Sequence, residues 1–459
     1  MAPPPDDLAA ALAAALAGEL GPVTVDDLTR LSGGASRETW RFDAVAADGT
    51  RQELILRRDP PGRPSRPGGM TLEAVAIRAA DDAGLRVPTV VLHGESPSPW
   101  DTAGIVMRAV AGEALARRIL RDDEFASARD RLVGDCAQFL AGLHAIDPRA
   151  VPGLPSDDPV TGLRTYLADA GADATPTFEL AFRWLDATRP PERAPVIVHG
   201  DFRLGNLLVD HNGLRAVLDW ELVHAGNPVE DLGWLTTKAW RFGAAPPVGG
   251  FGTRQDLLAA YADAGGSDIS LDDLHWWEVF NTLKWGAMCI GQAAAHLRGE
   301  VRSVELAAIG RRVCEQEWDL LLLLCPDVVG SHRDAAHPVD SEDRDVDLHG
   351  RPTAGELLGA VEEFLRDDLI PGTTGQLSFH ARVAANVVAI VARELAAEPG
   401  QTAKRADALA PLGVASESAF AAAISSGGLD DRWAEVHDVL ASGVAAKVAV
   451  ANPRYLTNP

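Results

Sequence analysis

The sequence predicts an α+β fold with an additional all-helical domain at its C-terminus. Short runs of β-favouring residues, separated by glycine and proline, dominate residues 25–112 and indicate an antiparallel sheet. From residue 113 to 325 the pattern is largely helical, and over 131–146 apolar side chains recur at intervals of three and four, which is typical of a core-facing helix. Residues 326–349 are polar and acidic and predict a linker, beyond which residues 350–459 form a helical domain.

Composition bounds the class of protein. A chain of 459 residues is long enough for two or three domains. It carries 42 lysine and arginine residues against 66 aspartate and glutamate residues, a net charge of −24. This acidic balance argues against a nucleic acid polymer as partner, because such a partner requires a basic surface. The four cysteines show no zinc-binding spacing, which favours free thiols in a reducing compartment.

The first 24 residues predict an N-terminal helix that ends at Gly21. This segment is rich in alanine and leucine, but it contains acidic residues and lacks the basic leader of a signal peptide. The longest leucine run, 320–324, is too short to cross a bilayer. We therefore expect a cytoplasmic protein without a membrane partner.

Within the predicted sheet, the chain offers an early glycine-containing turn. Ser32, Gly33 and Gly34 precede an alternating strand at 39–42, and a hairpin turn at 48–49 leads to a second strand at 53–57. Glycines between paired strands allow backbone amides to approach a phosphate. An ordinary tight turn explains these glycines equally well. A helix at 71–83 and strands at 89–93 and 104–107 complete this part.

The segment 196–221 contains the candidate chemistry. Two apolar runs flank a polar loop, so that Asp201 lies before one predicted strand and Asp219 ends the next. Together with Asn206, these side chains can converge on one point and present oxygen ligands suited to Mg²⁺. One carboxylate and the amide would hold the metal, while the other carboxylate accepts a proton from a hydroxyl. The alternative is an acidic hairpin in which Asp201 and Asn206 only form turns.

The pattern His199-Gly-Asp201, with Asn206 five residues later and Asp219-Trp-Glu221 following, resembles the aminoglycoside phosphotransferase and choline kinase-like family. The resemblance extends over about residues 25–325. It implies a protein-kinase-like two-lobed fold with lobes at 25–112 and 113–325. In that family's roles Asp201 is the catalytic base, Asn206 and Asp219 bind Mg²⁺, and His199 braces the loop.

The same resemblance implies roles for charged residues outside the motif. Arg57 stands where kinases place the lysine that binds the nucleotide phosphates, with Arg58 as the competing choice, and Glu73 is the expected ion-pair partner. Ser32, Gly33 and Gly34 would line the nucleotide. Arg203 would stabilise charge on the transferred phosphoryl group, or else form a salt bridge.

Two further residues have expected supporting roles. Asp231, at the start of a predicted helix, is expected to anchor the catalytic loop from behind. His144 ends a helical apolar stripe and is expected to be a satisfied structural residue rather than a ligand.

These residues predict a Mg²⁺-dependent transfer of the γ-phosphate of ATP to a hydroxyl group of a small molecule, with GTP as the open alternative. The Leu-Arg-Arg sequence at 56–58 resembles the branch associated with acyl-CoA dehydrogenases, which favours a hydroxyacyl thioester as acceptor. An aminoglycoside-type antibiotic kinase is one alternative. A nucleotide-binding regulator without catalytic activity is another, in which residues 350–459 bind a protein partner or self-associate.

Overall fold

A computed structural model of the protein describes residues 5–31, 37–60, 69–95, 98, 100, 102–172, 174–332 and 352–457. These residues divide into two compact units. The first unit comprises Met1–Ser156 and Pro191–Trp277, and the second comprises Asp157–Pro190 and Glu278–Pro459.

The elements of the first unit combine all nine described strands with six helices. They are α1 (Pro5–Leu20), β1 (Val23–Arg30), β2 (Glu38–Ala46), β3 (Arg51–Arg58), α2 (Gly69–Asp82), β4 (Val90–Gly94), β5 (Gly104–Arg108), α3 (Ala116–Arg121), α4 (Ala126–His144), β6 (Val196–Val198), β7 (Leu207–Asp210), β8 (Gly213–Val217), β9 (His224–Gly226), α7 (Val229–Thr236) and α8 (Arg254–Asp263).

The second unit consists of helices in its described part, and α9 begins within the first unit. The elements are α5 (Pro159–Asp169), α6 (Pro176–Ala187), α9 (Leu271–Leu297), α10 (Val304–Ile309), α11 (Val313–Leu324), α12 (Pro326–His332), α13 (Ala354–Glu363), α14 (Gly375–Leu409), α15 (Glu417–Ser425) and α16 (Trp433–Ala451). Both the α+β class and the helical C-terminal region are therefore as predicted.

The N-terminal sheet has five antiparallel strands in the order β1-β2-β3-β5-β4. The predicted hairpin joins β2 and β3, and Gly49 in its turn adopts a φ of 83°, which glycine accommodates without strain. Leu8, Leu12 and Leu16 of α1 recur every four residues and pack against the sheet, burying one face of the helix.

Strand β1 was not predicted. Its sequence, 23–30, alternates only at its start and then contains two consecutive aspartates. Asp27 adopts a φ of 55°, and the pairing with β2 shifts register between Asp26 and Thr29. The bulge interrupts the period of two by which strands are recognised in a sequence.

Two short hairpin-like pairs carry the candidate motifs in the remainder of the first unit. Strand β6 pairs with β9, and β7 pairs with β8 in the register Leu207↔Val217. The two apolar runs around the polar loop are thus strands, as predicted, although they belong to different pairs. Helix α4 packs against α8 and against β6 and β8.

In the second unit a hydrophobic cluster, here called the helical core, joins α6 and α11 to α14–α16. The helices that follow the predicted linker therefore complete a core that earlier helices begin. The fully or nearly fully buried members of this core include Trp318, Leu321, Phe420, Ile424, Val436, Leu440 and Val448.

Helices α10 and α11 are separated by a short 3₁₀ turn at Gly310–Arg312. One predicted boundary differs from the structure. The linker expected from residue 326 begins instead with α12, in which Val329 is buried in the helical core. Residues 333–351, which make up most of the predicted linker, lie outside the described part of the sequence.

One described stretch, Gly400–Ser425, is long and apolar enough to cross a membrane by length and composition, which is weak evidence on its own. The stretch is interrupted, because α14 ends at Leu409 and α15 begins at Glu417, with Gly413 at a φ of 74° between them. Phe420 and Ile424 lie in the helical core. Core helices of water-soluble proteins meet the same criterion.

Candidate active site

The polar loop 199–206 follows β6 directly and is mostly buried. Gly200 has a φ of 81°, and a Cβ atom at this position would overlap the carbonyl oxygen of Leu222. Both the backbone conformation and the lack of space therefore require glycine between His199 and Asp201. This explains why the motif has glycine at its centre.

Asp231 of α7 anchors the start of the loop, as predicted. Its carboxylate accepts the backbone N–H of His199 at 2.8 Å and that of Gly200 at 2.9 Å. Burial raises the pKa of Asp231, but hydrogen bonds from the His144 side chain and the His199 backbone outweigh this effect and lower it. An ionised, fully buried carboxylate thus ties α7 to the loop.

His144 extends this anchor toward α8. Its Nε2 lies 3.3 Å from Asp231 Oδ2, and its Nδ1 lies 2.8 Å from the hydroxyl of Tyr261. Burial raises the pKa of Tyr261 to about 12. His144 is therefore a satisfied structural residue, as expected, but its contact with Asp231 also makes it part of the loop's support.

His199 supports the loop from within. Its Nδ1 accepts the backbone N–H of Asp201 at 3.2 Å, which leaves Nε2 as the donor to the carbonyl oxygen of Leu218 at 3.1 Å. Burial lowers the pKa of His199 despite the neighbouring aspartates, and the ring packs edge-on against Trp220 at 4.8 Å between centroids. The neutral imidazole of His199 thereby connects the backbone of Leu218, which precedes Asp219, to the backbone of Asp201.

Three side-chain donors hold the carboxylate of Asp201. Arg203 Nε lies 2.9 Å and Trp234 Nε1 lies 2.8 Å from Oδ1, while Asn206 Nδ2 donates to Oδ2 at 2.6 Å. Asn206 also donates to the Asp201 carbonyl oxygen at 2.9 Å. These bonds orient the carboxylate and bring Asn206 beside it, as the spacing predicted.

Arg203 is held on its other side by an aromatic ring. Its guanidinium carbon lies 4.5 Å from the ring centroid of Trp240, a cation–π distance, and Trp240 packs against Trp234. A Cβ at Gly205 would overlap Arg203 Nη1, so this glycine provides the room for the guanidinium. The predicted salt bridge of Arg203 is present, and its partner is Asp201 itself.

Asp219 follows β8 and adopts a φ of 68°, which is uncommon for a residue other than glycine. Burial raises its pKa, but the charge of Arg57 and a hydrogen bond from this arginine outweigh burial and lower it. Backbone strain of this kind persists only where the surroundings hold it, and it concentrates at functional sites. Asp219 is therefore presented as an ionised carboxylate.

Arg57 and Arg58 point to opposite faces of β3. Arg57 binds Glu73 of α2 and Asp219, so the predicted pair with Glu73 is present. Arg58 is fully buried on the other face, where Nε donates to Glu38 at 3.0 Å and Nη1 donates to the carbonyl oxygen of Trp100 at 3.2 Å. Because side chains alternate along a strand, Arg57 faces Asp219, whereas Arg58 forms a buried structural ion pair with Glu38.

Glu221 lies close to the same arginine, with its Oε2 3.9 Å from Arg57 Nη2. Burial and the neighbouring charge of Asp219 raise the pKa of Glu221, and the charges of Arg57 and Arg37 only partly offset them. Two carboxylates that crowd one another in this way favour binding of additional positive charge.

Asp219 and Asn206 carry donor atoms of the kind that Mg²⁺ binds. Among the described residues, no three His, Cys, Asp or Glu side chains form a metal-binding group. Asp219 and the amide of Asn206, whose Nδ2 faces Asp201, together offer one carboxylate and one amide oxygen. Mg²⁺ commonly takes only one or two protein ligands and keeps waters or substrate oxygens.

The remaining predicted nucleotide residues, Ser32, Gly33 and Gly34, lie outside the described part of the sequence. Sequence reasoning missed Trp234 and Trp240. The first was detectable, because Trp234 is three residues beyond Asp231 on one helix and so lies on the same face. The second was not, since no local pattern relates Trp240 to Arg203.

Family models match two regions of the sequence. The model described as "Phosphotransferase enzyme family" matches residues 27–271, and a "Domain of unknown function" matches residues 371–455. The first region contains every residue of the polar loop as well as Arg57, Glu73 and Asp219. The second contains the whole of α14, α15 and α16.

The sequence is also similar to curated proteins from other organisms. Acyl-CoA dehydrogenase family member 11 of Gallus gallus is 28% identical over 72% of this chain, and family member 10 of Mus musculus is 26% identical over 58%. The chain spans only 44% and 27% of those relatives.

A candidate aminoglycoside phosphotransferase from Ralstonia eutropha has 20% sequence identity and a TM-score of 0.52, covering 67% of this chain and 95% of that one. At this identity the likeness shows the kinase-like fold alone. The phosphotransferase model, in contrast, matches more than half of the sequence. The chain therefore belongs to the phosphotransferase enzyme family.

Proposed function

We propose that this phosphotransferase transfers the γ-phosphate of ATP, with Mg²⁺, to a hydroxyl group of a small molecule. The observation that carries the proposal is the carboxylate of Asp201, held by three side-chain donors in a buried loop. A carboxylate so oriented can accept the proton of an attacking hydroxyl. The ionised Asp219 supplies the second carboxylate that the chemistry requires.

Each residue of the site has a separate proposed role. Asp201 orients the hydroxyl group and receives its proton. Arg203, which forms an ion pair with Asp201 and a cation–π contact with Trp240, supplies positive charge next to the Asp201 carboxylate. Asn206 and Asp219 would hold Mg²⁺, which neutralises phosphate charge when bound. Arg57, positioned by Glu73, would contact phosphate oxygens.

For the acceptor we propose a hydroxyacyl thioester. The support is that relatives named as acyl-CoA dehydrogenase family members are similar to as much as 72% of this chain. The alternative of an antibiotic acceptor has no comparable support, because the likeness to the Ralstonia eutropha structure concerns the fold alone.

The test combines nucleotide binding with phosphate transfer. Thermal shifts with ATP and GTP, with and without Mg²⁺, should show a rise in melting temperature that requires Mg²⁺ and disappears in Asp219→Ala. Transfer of labelled γ-phosphate to hydroxyacyl-CoA should be lost in Asp201→Asn while the thermal shift persists. Asp263→Asn, an exposed carboxylate on α8, is the matched control.

Four results would change the proposal. Transfer by Asp201→Asn at the native rate would remove Asp201 as the base. Phosphorylation of aminoglycosides alone would replace the acceptor. Nucleotide binding without transfer to any hydroxyl compound would favour the regulator, and absence of nucleotide binding would contradict the proposed function itself.

A further inference from the structure

A second arginine, Arg37, shares Glu73 with Arg57. Arg57 binds Oε1 of Glu73, and Arg37 binds Oε2 of the same carboxylate. The exposed fraction of the side chain is 12% for Arg37, 14% for Arg57 and 2% for Glu73. One carboxylate on α2 therefore fixes two guanidinium groups in a mostly buried position beside Asp219.

The strand register explains why both arginines meet on one face. Arg37 immediately precedes β2, in which Thr39 lies opposite Arg57 and Glu38 lies opposite Arg58. Alternation then places Glu38 with Arg58 on the opposite face, where their side chains are 6% and 1% exposed and paired with each other. On the face that carries Arg37 and Arg57, in contrast, Arg57 also binds Asp219.

The charges around the two arginines do not balance. Arg37 Nε lies 3.3 Å from Asp59 Oδ1 and 3.9 Å from Glu221 Oε2, and Arg57 contacts Asp219 as well as Glu73. Two permanent cations thus lie among four carboxyl groups: Asp59, Glu73, Asp219 and Glu221. Arg37 therefore has carboxylate partners besides Glu73, and they hold its guanidinium group close to that of Arg57.

We propose that Arg37 is a second phosphate-binding residue, which acts together with Arg57 as a pair of guanidinium groups aligned by Glu73. This inference rests on the proposed function and assigns a binding role within it. Guanidinium groups carry five N–H donors in a planar fork that matches phosphate oxygens. Two of them, fixed in advance by one carboxylate, supply the charge that kinases of the usual type take from a lysine.

The effect of Arg37 on nucleotide affinity should therefore increase with the number of phosphate groups in the nucleotide. Arg37 can form charge-assisted hydrogen bonds to the ligand only where the ligand has phosphate oxygens. A residue that merely held the sheet and α2 together would instead change the apo-protein's stability and the binding of all nucleotides alike.

Isothermal titration calorimetry with ATP, ADP and adenosine, at constant Mg²⁺, separates these possibilities. In Arg37→Ala we expect ATP affinity to fall by about 10–100-fold, ADP affinity to fall less, and adenosine affinity to remain within about twofold of the native value. Arg37→Lys should recover part of the loss. The matched control is Arg41→Ala, because Arg41 lies on β2 but is 56% exposed and pairs with Glu53.

Folding is checked on the same samples by circular dichroism and melting temperature. If Arg37→Ala does not fold, Arg37→Gln carries the test with the same expected order of losses. Native ATP affinity in the variant, or equal losses for ATP and adenosine, would overturn the role of Arg37. Failure of the native protein to bind any of these ligands would instead contradict the proposed function, so the two failures are distinguishable.

Discussion

The polar loop of the first unit and the helical core of the second unit are both buried, but they achieve burial in opposite ways. In the loop and its support, His199, Asp201 and Asp231 each have hydrogen-bond partners, and the backbone after β8 is strained at Asp219. In the helical core, the side chains of Phe420, Ile424 and their neighbours pack mainly against other apolar side chains.

The difference shows which kind of change each region tolerates. Packing energy scales with buried apolar area and cavity volume, so the helical core responds to size. The loop responds to the identity of single donor and acceptor atoms, because an unpaired buried polar atom retains its full desolvation penalty. A substitution that conserves side-chain volume but exchanges one donor or acceptor atom should therefore impair the loop. A substitution that changes side-chain volume should instead destabilise the helical core.

The largest effect is expected in the helical core. Phe420→Ala removes a fully buried ring and should lower the free energy of unfolding by about 3–5 kcal/mol, as the lost packing leaves a cavity. The control is Phe379→Ala on α14, where the ring is 39% exposed and the expected change is within about 0.5 kcal/mol. Urea denaturation measures both. Equal losses would mean that the exposed and buried phenylalanines contribute alike and would contradict the packing assignment.

A smaller effect on stability, with a larger one on activity, is expected at the loop anchor. Asp231→Asn conserves volume but places an amide donor against a backbone N–H, at a cost of about 1–3 kcal/mol. The rate of phosphate transfer should fall by more than the loss of folded protein explains, because the backbone of His199 and Gly200 loses its anchor. Asp263→Asn, the exposed control on α8, should change neither quantity. An anchor variant with native activity would show that the loop is held by its other contacts.

The smallest effect concerns pH. Because burial lowers the pKa of His199, the folded protein takes up this proton only at lower pH than the unfolded state, whose histidine titrates near pH 6.5. Stability is thus fully present above that value and declines on acidification toward about pH 5, by at most about 1.4 kcal/mol per pH unit for one proton.

The measurement is the melting temperature between about pH 5 and pH 8 for the native protein and for His199→Asn. The variant should show a shallower decline, while His211→Asn in the exposed β7–β8 turn should follow the native curve. Since the same acidic groups titrate in all three proteins, the difference between curves reports His199. Parallel curves for His199→Asn and the native protein would contradict a buried neutral histidine.

Local pattern was sufficient for much of the fold and of the candidate site. The β2–β3 hairpin, the helix carrying Glu73, and the strands around the polar loop follow from period and turn chemistry, which depend on neighbours in sequence. The placement of Asn206 beside Asp201 is equally local, since five residues separate them. Strand β1 escaped prediction because its bulge breaks the period.

The sequence by itself thus determined which residues can supply phosphotransfer chemistry: two carboxylates, an amide and nearby arginines at defined spacings. Only the tertiary structure decided that Arg57 rather than Arg58 faces Asp219, that Trp240 stacks on Arg203, and that two arginines share Glu73. It also decided that α14–α16 complete a core with α6 and α11. The physical reason is that these contacts join residues distant in the sequence, and their pairing depends on strand register and packing of whole elements, which no local periodicity encodes.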